Sequence, residues 1–283
     1  MYLRLFLMGL WLAMALGCMP LASYAQIAAP ATDEKLAPKP SIKKLLADAR
    51  SLQRQYRDSE ALAKYEEVIW RDGKNVEALW QAALMSVRIG SRYTDETRKS
   101  LYFTAARGYA ERSWALQPEA AEPNYAVALV LANQALLLHA KGRLQTYRDM
   151  KPYVFKAVAR RPTWSEAWQL LGRWHYRVDH YTLLERLFSS LFLGGAPSGA
   201  SSRQAIDALL KAQQLDPKRI QVYYDLARVY DTQKQDEKAI QVLQEAALLT
   251  PITTEELEIS RRCRILLTRL ERKHPAKAAG TPG

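Results

Sequence analysis

His175 and His180, with Asp179 between them, are the only histidines close together in the chain. On a helix, residues five apart point to different sides, and one carboxylate does not complete a metal shell. His175 is therefore read as a packing residue and His180 as a surface loop residue. Cys263 lies among Arg261, Arg262 and Arg264, a setting that favours a thiolate, but no histidine is placed to act as its base. It is read as a half-buried residue of a terminal helix. Neither a phosphate-cradling glycine loop, a His-Glu-x-x-His helix nor a paired-cysteine frame is present. No catalytic residue, metal ligand or cofactor is expected, and the chain reads as non-enzymatic. What remains is binding chemistry: Arg173 and Arg228 carry guanidinium groups that hold phosphate or carboxylate by paired hydrogen bonds.

The elements that position these arginines follow from a period. Ala205, Leu209, Ala212 and Pro217 recur as Ala239, Leu243, Ala246 and Pro251, each displaced by 34 positions, the repeat length of a tetratricopeptide helix pair. The small residue lets two helices approach closely, the leucine fills the gap, and proline ends the second helix. First helices carry a large, small, large pattern: Trp168, Gly172 and His175 in repeat four, then Tyr223, Ala227 and Tyr230 in repeat five. Leu45, Ala49 and Leu52 with Ala61, Tyr65 and Val68 make a first pair. Leu79 and Ala83 with Ala106, Ala110 and Pro118 make a second, and Tyr125 and Leu129 with Met150, Val154, Ala157 and Pro162 a third.

The expected fold is an all-α tetratricopeptide-repeat solenoid of about five helix pairs, with an inserted helix and a C-terminal capping helix. Extra residues fall around Gly90 to Arg98, Gly142 to Thr146 and His180 to Ser202, where insertions should emerge between helices. In the last, Leu183, Leu184, Leu187, Phe188, Leu191 and Phe192 share one helical face, and Gly194, Gly195 and Pro197 supply the stop. Leu187, Phe188 and Phe192 are expected to pack this helix onto repeat four, a lid or membrane-touching edge being the alternative. From Thr254 to Lys273, leucines alternate with charges, as in the polar-backed cap of a solenoid.

The chain of 283 residues is 48% hydrophobic and carries a net charge of +12, which favours acidic partners. No nucleic-acid motif or clustered basic run accompanies that charge, so no specific nucleic-acid partner is expected. Residues 1–25 hold one charge, Arg4, then an apolar run from Leu5 to Leu16 and Ser23-Tyr24-Ala25 before Gln26. This is the form of a cleaved signal peptide, and an exported, periplasmic or secreted protein is expected. Retention as a membrane anchor, or lipidation at Cys18, is the alternative. Residues 26–41 read as a disordered linker, 42–273 as the repeat domain and 274–283 as a disordered tail. After cleavage Cys263 is the only cysteine, so stability rests on packing without an internal disulfide.

Leu171 to Trp174, Glu185 to Leu187, Phe192 to Pro197 and Asp216-Pro217 together resemble the regulator of microtubule dynamics family. In that family a Leu-Gly-Arg-Trp segment precedes a Glu-Arg-Leu, a glycine turn with proline and a helix ending near Asp-Pro. The likeness continues through Tyr223 to Leu243 and, more weakly, back to about Trp80. It implies a non-enzymatic helical-repeat domain. Eukaryotic members associate with microtubules or sit in organelle membranes, and one branch binds and transfers phospholipids. The secretory-type beginning fits an exported bacterial relative better than a microtubule-bound one.

On the tetratricopeptide register the inner wall takes Glu77, Trp80, Leu84 and Val87 from repeat two and Pro123, Ala126, Val130 and Asn133 from repeat three. Repeat four adds Glu166, Gln169, Arg173 and Tyr176, and repeat five Gln221, Tyr224, Arg228 and Asp231. Trp80, Leu84 and Val130 would meet the apolar part of a ligand, and Arg173 and Arg228, with Tyr176 and Tyr224, its acidic part. A protein or peptide segment held in the groove is the first expectation, an anionic phospholipid or other amphiphile the alternative. Leu46 and Arg50 stand where a chaperone-tail clamp needs lysine and asparagine, so that partner is not expected.

Overall fold

The computed structural model describes residues 39–195 and 197–273. The signal-type segment 1–25, the linker as far as residue 38 and the tail 274–283 lie outside the described residues. Among the described residues there are twelve α-helices, one 3-10 turn (Ala135–Leu137) and no strand. The helices are α1 Ile42–Arg54, α2 Asp58–Arg71, α3 Val76–Arg92, α4 Glu96–Leu116, α5 Ala121–Gln134, α6 Ala140–Arg160, α7 Ser165–Asp179, α8 Leu183–Leu193, α9 Ser202–Leu215, α10 Ile220–Thr232, α11 Asp236–Ala247 and α12 Thr254–Lys273. Five antiparallel pairs result: α1 with α2, α3 with α4, α5 with α6, α7 with α9 and α10 with α11. Helix α8 is the insertion in the fourth pair, and α12 packs on α10 and α11.

Sequence marks several starts and stops. Ser41, Asn75, Asp95 and Ser201 accept hydrogen bonds from the backbone N–H groups of Lys44, Ala78, Arg98 and Gln204, satisfying donors that a helix leaves open at its N-terminus. The closing prolines do more than stop helices. The carbonyls of Pro118, Pro162 and Pro217 each accept a hydrogen bond at 2.8 Å from the side chain six residues on, that of Asn124, Trp168 and Tyr223 respectively. Each bond ties the end of one pair to the first helix of the next.

Burial is a row of three clusters, as nearest-neighbour stacking requires. One is centred on Leu45, Tyr65 and Leu79, the next on Phe103, Met150 and Trp174, the last on Leu209, Leu226 and Leu243. Trp168 packs against the second and third clusters. The helix approach is closest at Gly172, where a Cβ would lie 2.6 Å from Leu209 Cγ and 3.2 Å from the Ala205 carbonyl oxygen. Only glycine fits there without displacing α9.

Two expectations about the insertions are corrected. The extra residues of repeats two and three do not emerge as loops. They are absorbed as longer helices, 17 residues in α3 and 21 in α4 and in α6. Gly90 lies within α3, and the absence of a side chain there admits Tyr102 and Phe103 of α4. The second correction concerns α8, which forms as expected with a Thr182–Glu185 capping box and Gly194 in the left-handed region at its C-cap (φ 69°). Yet it packs mainly on α6 of repeat three, meets repeat four through Arg177 on Glu185 and through Arg186 on the Asp179 carbonyl, and turns most of its apolar face outward. Leu183 is 85% exposed, Leu187 58% and Phe192 67%, while Glu185 and Ser189 are buried and Phe188 is half-buried.

Candidate functional site

The Leu-Gly-Arg-Trp segment of α7 sends consecutive side chains to different duties because successive helical residues are about 100° apart. Gly172 meets α9. Trp174 is fully buried and its Nε1–H donates to the Tyr147 carbonyl at 2.8 Å. Arg173 points the other way, into a hollow of about 600 Å³, a size typical of ligand cavities.

That hollow gathers the C-terminal half of the expected wall. Arg173, Tyr176, Tyr224 and Arg228 line it, together with Asn133 and Gln221. Trp80, Leu84 and Val130 do not. Trp80 stacks edge-on against Trp164 at 6.2 Å, Leu84 is half-buried between two core clusters, and Val130 is buried in the core. The apolar lining comes instead from Leu129, Ala132 and Leu136 near the end of α5, from Tyr147 and Met150 of α6, and from Leu170. Two features removed these residues from the repeat register. Helix α6 is lengthened, so its first half reaches the hollow, and the 3-10 turn carries Leu136 to its rim.

Five arginines (Arg143, Arg173, Arg177, Arg228 and Arg262) and one carboxylate, Asp225, line the hollow. Most of these cations are already engaged. Arg173 donates to Asp225 from Nε at 2.6 Å and from a terminal nitrogen at 3.3 Å, and Asp225 also accepts from Gln169 at 2.7 Å and Gln221 at 3.0 Å. Burial alone would lower the Arg173 pKa, but the Asp225 charge and hydrogen bond outweigh it and raise it. Arg173 therefore joins α7 to α10, and its partner is Asp225. Arg143 and Arg177 share Glu185 at 3.0 and 2.7 Å, and Arg262 pairs with Glu258 at 3.0 Å. Burial pushes the Glu185 carboxyl up, and the Thr182 backbone N–H and the arginines more than reverse this, holding it below the usual glutamate range.

Arg228 is different. Its guanidinium lies 5.8 Å from the Tyr176 ring centre and 5.9 Å from that of Tyr224, and among the described residues no carboxylate pairs with it. Tyr176 is itself held, its hydroxyl 2.9 Å from Thr232 Oγ1. A guanidinium set between two aromatic faces is held in place by their negative ring faces.

A further contact joins distant parts of the chain. Arg92, at the end of α3, bonds both Asp58 of α2 and Glu255 in the first turn of α12. Burial opposes ionisation of Glu255, yet backbone hydrogen bonding and Arg92 hold its carboxyl below the usual range.

The other sequence candidates are structural. His175 is buried against Trp174 and Phe155, and burial lowers its pKa. His180 caps α7, with Nδ1 2.8 Å from the Tyr176 carbonyl oxygen. Cys263 is buried, not half-buried, and burial, then the Asp225 charge, push its thiol up to about 11. The arginines beside it in sequence do not activate it. Arg50 is held by Glu77 at 2.5 Å.

Residues 45–271 match the family profile described as Regulator of microtubule dynamics protein 1-3. The chain belongs to this family. Regulator of microtubule dynamics protein 3 of Bos taurus is 29% identical over 145 residues, 51% of this chain and 31% of that protein. Its Xenopus laevis counterpart is 26% identical over 189 residues, 66% of this chain and 40% of that protein. The chain thus spans less than half the length of the curated relatives it matches. Among solved structures, a thermophilic tetratricopeptide protein of Thermus thermophilus superposes with a TM-score of 0.60 at 14% identity, covering 81% of this chain and all of that one (100%). The pilF protein of Pseudomonas aeruginosa gives 0.51 at 12% identity, covering 84% and 93%. These likenesses establish the tetratricopeptide fold. Among the described residues no helix is long and apolar enough to cross a membrane.

Proposed function

We propose that this protein is a non-enzymatic binding scaffold that holds a segment of a protein partner in the hollow between α5, α7, α10 and α12. The observation that carries the reading is Arg228, uncommitted between two tyrosine faces at one side of a hollow whose other side is apolar. A volume of about 600 Å³ admits a few side chains and not a folded domain. The segment that suits it presents an acidic group to Arg228 and Tyr224 and an apolar side chain to Leu129, Leu136 and Met150. Arg173 shapes the wall and does not bind, since Asp225 already occupies its fork.

An anionic phospholipid or other amphiphile is the second reading, favoured by the same pairing of an apolar wall with a free cation. A repeat domain spanning 42–273, exported behind a cleaved segment 1–25 or anchored by it, completes the proposal.

The test is a photo-crosslinking amino acid in place of Tyr224, in the organism's own cells, followed by native mass spectrometry of the purified protein. A discrete cross-linked polypeptide, its yield falling roughly tenfold with Arg228→Glu, is the expected result. A co-purified lipid lost in the same variant, with no polypeptide, replaces the first reading by the second. Unchanged adducts in Arg228→Glu remove both.

A further inference from the structure

We infer that α8 is a docking ridge for an anionic bilayer surface. The helix is 11 residues long, so its outward face extends about 16 Å. Leu183, Leu184, Leu187, Leu191 and Phe192 all stand on that face, and each is more than half exposed. Single exposed leucines are ordinary, but five large apolar side chains on one short helix are not. The inversion is held in place from beneath. Glu185 accepts from Arg143 and Arg177 and closes the capping box with Thr182, so the polar face is anchored to the domain and the ridge cannot roll inward. On the far side, Arg148 bonds the Gly195 carbonyl at 2.9 Å and Lys151 the Ser198 carbonyl at 2.8 Å.

Charge selects the occupant. Arg186 lies on α8 itself, Arg148 and Lys151 reach the turn at its C-terminal end, and Lys141 follows Ala140 in the adjoining cleft; among the described residues none of these four pairs with a carboxylate. Arg148, Lys151 and Arg186 are oriented by backbone carbonyls, which leave their charge uncompensated. Across residues 140–151 and 180–203 there are six lysines and arginines and two carboxylates, Asp149 and Glu185, of which Glu185 is buried. Six minus two leaves +4. A second copy meeting this face symmetrically would set two cationic rims against each other. An anionic lipid surface accepts exposed leucines into its outer boundary and attracts the cations beside them. Leu184, Leu187, Leu191 and Phe192 also form one wall of a cleft of about 580 Å³ that opens toward the start of α6 and shares Arg143 and Arg177 with the main hollow, so docking would bring that hollow next to the membrane.

The experiment places an environment-sensitive fluorophore on Leu187→Cys in the full chain carrying Cys18→Ser, the buried Cys263 being left as it is. Vesicles of seven parts phosphatidylcholine to three parts phosphatidylglycerol are added, with phosphatidylcholine alone as comparison. Expected is a several-fold rise and blue shift of emission with the anionic vesicles, far less with the neutral ones, and reversal by salt. A Leu187→Asp, Phe192→Asp chain should show roughly tenfold weaker sedimentation with the same vesicles. Protein that pellets with vesicles while the label at 187 stays in water overturns the inference, because another segment then makes the contact. So does an emission change that grows with protein concentration before vesicles are added, which marks a second copy. A tightly bound polypeptide lost in the Asp variant overturns it as well.

Discussion

Helices α8 and α9 are neighbours in sequence, both amphipathic and both capped by a hydroxyl side chain, and they lie opposite ways up. Helix α9 buries Ala205, Ala208, Leu209 and Ala212 against α7 and α10 and leaves its charges outside. Helix α8 buries Glu185 and Ser189 against α6 and Arg177 of α7 and leaves its leucines outside. Amphipathic spacing establishes that a helix has two faces. Which face turns inward depends on what waits for it: Gly172 offers Leu209 a gap that fits, whereas Arg143 and Arg177 offer Glu185 two charge-assisted hydrogen bonds.

The largest expected effect falls on the conventional side of this pair. Leu209→Ala should cost about 2–5 kcal/mol of global stability, read by chemical denaturation. Gly172→Ala should cost about 1–3 kcal/mol, because the added methyl meets Leu209 and the Ala205 carbonyl. A silent Gly172→Ala would mean that α7 and α9 are packed more loosely than this close approach requires.

On the inverted side, Glu185→Ala should cost roughly 1–3 kcal/mol, confined to α8, and show as faster hydrogen exchange over residues 183–193 with the global unfolding midpoint little changed. The Arg92–Glu255 contact sharpens the comparison between ends of the domain. Because the Glu255 carboxyl is depressed in the folded state, its contribution is complete above the ordinary glutamate pKa of about 4.3 and is lost as pH falls through the folded value. Both side chains are well exposed, so the effect should stay below about 1 kcal/mol, and Glu255→Gln should abolish that part of the pH dependence. Smallest of all, Leu187→Ser should change stability by no more than about 0.5 kcal/mol. A loss as large as that of Leu209→Ala would show that α8 turns its leucines inward in solution.

Much of this architecture is legible in residue types. The 34-residue displacement locates the helix pairs because a repeat must present the same stacking surface each time, so Ala205 and Ala239 face the same problem. The Leu183 to Phe192 face announces an extra helix, and Gly194 its end. Register alone puts Arg228, Tyr176 and Tyr224 on the wall, and they do line one hollow. Val130 and Trp80 take wall positions in the same register and are packed away, Val130 in the core and Trp80 against the Trp164 ring. Asp225 escapes sequence reading for a plainer reason. Its partner Arg173 lies 52 positions away, and no local pattern reports a pairing across two repeats. Arg143, Tyr147 and Met150 escape it because the added residues in repeat three lengthen α6 and break the register that would find them.

By itself, then, the order of residues determined that this chain is a row of helix pairs with one inserted helix and a terminal cap, since spacing, capping and proline placement act over a few turns and need no distant partner. Only the tertiary structure decided which arginine is spent and which is free, which leucines are core and which are surface, and that Arg92 would meet Glu255. Those outcomes depend on charges and shapes brought together from far along the chain, where attraction is strong at contact and silent in the sequence between.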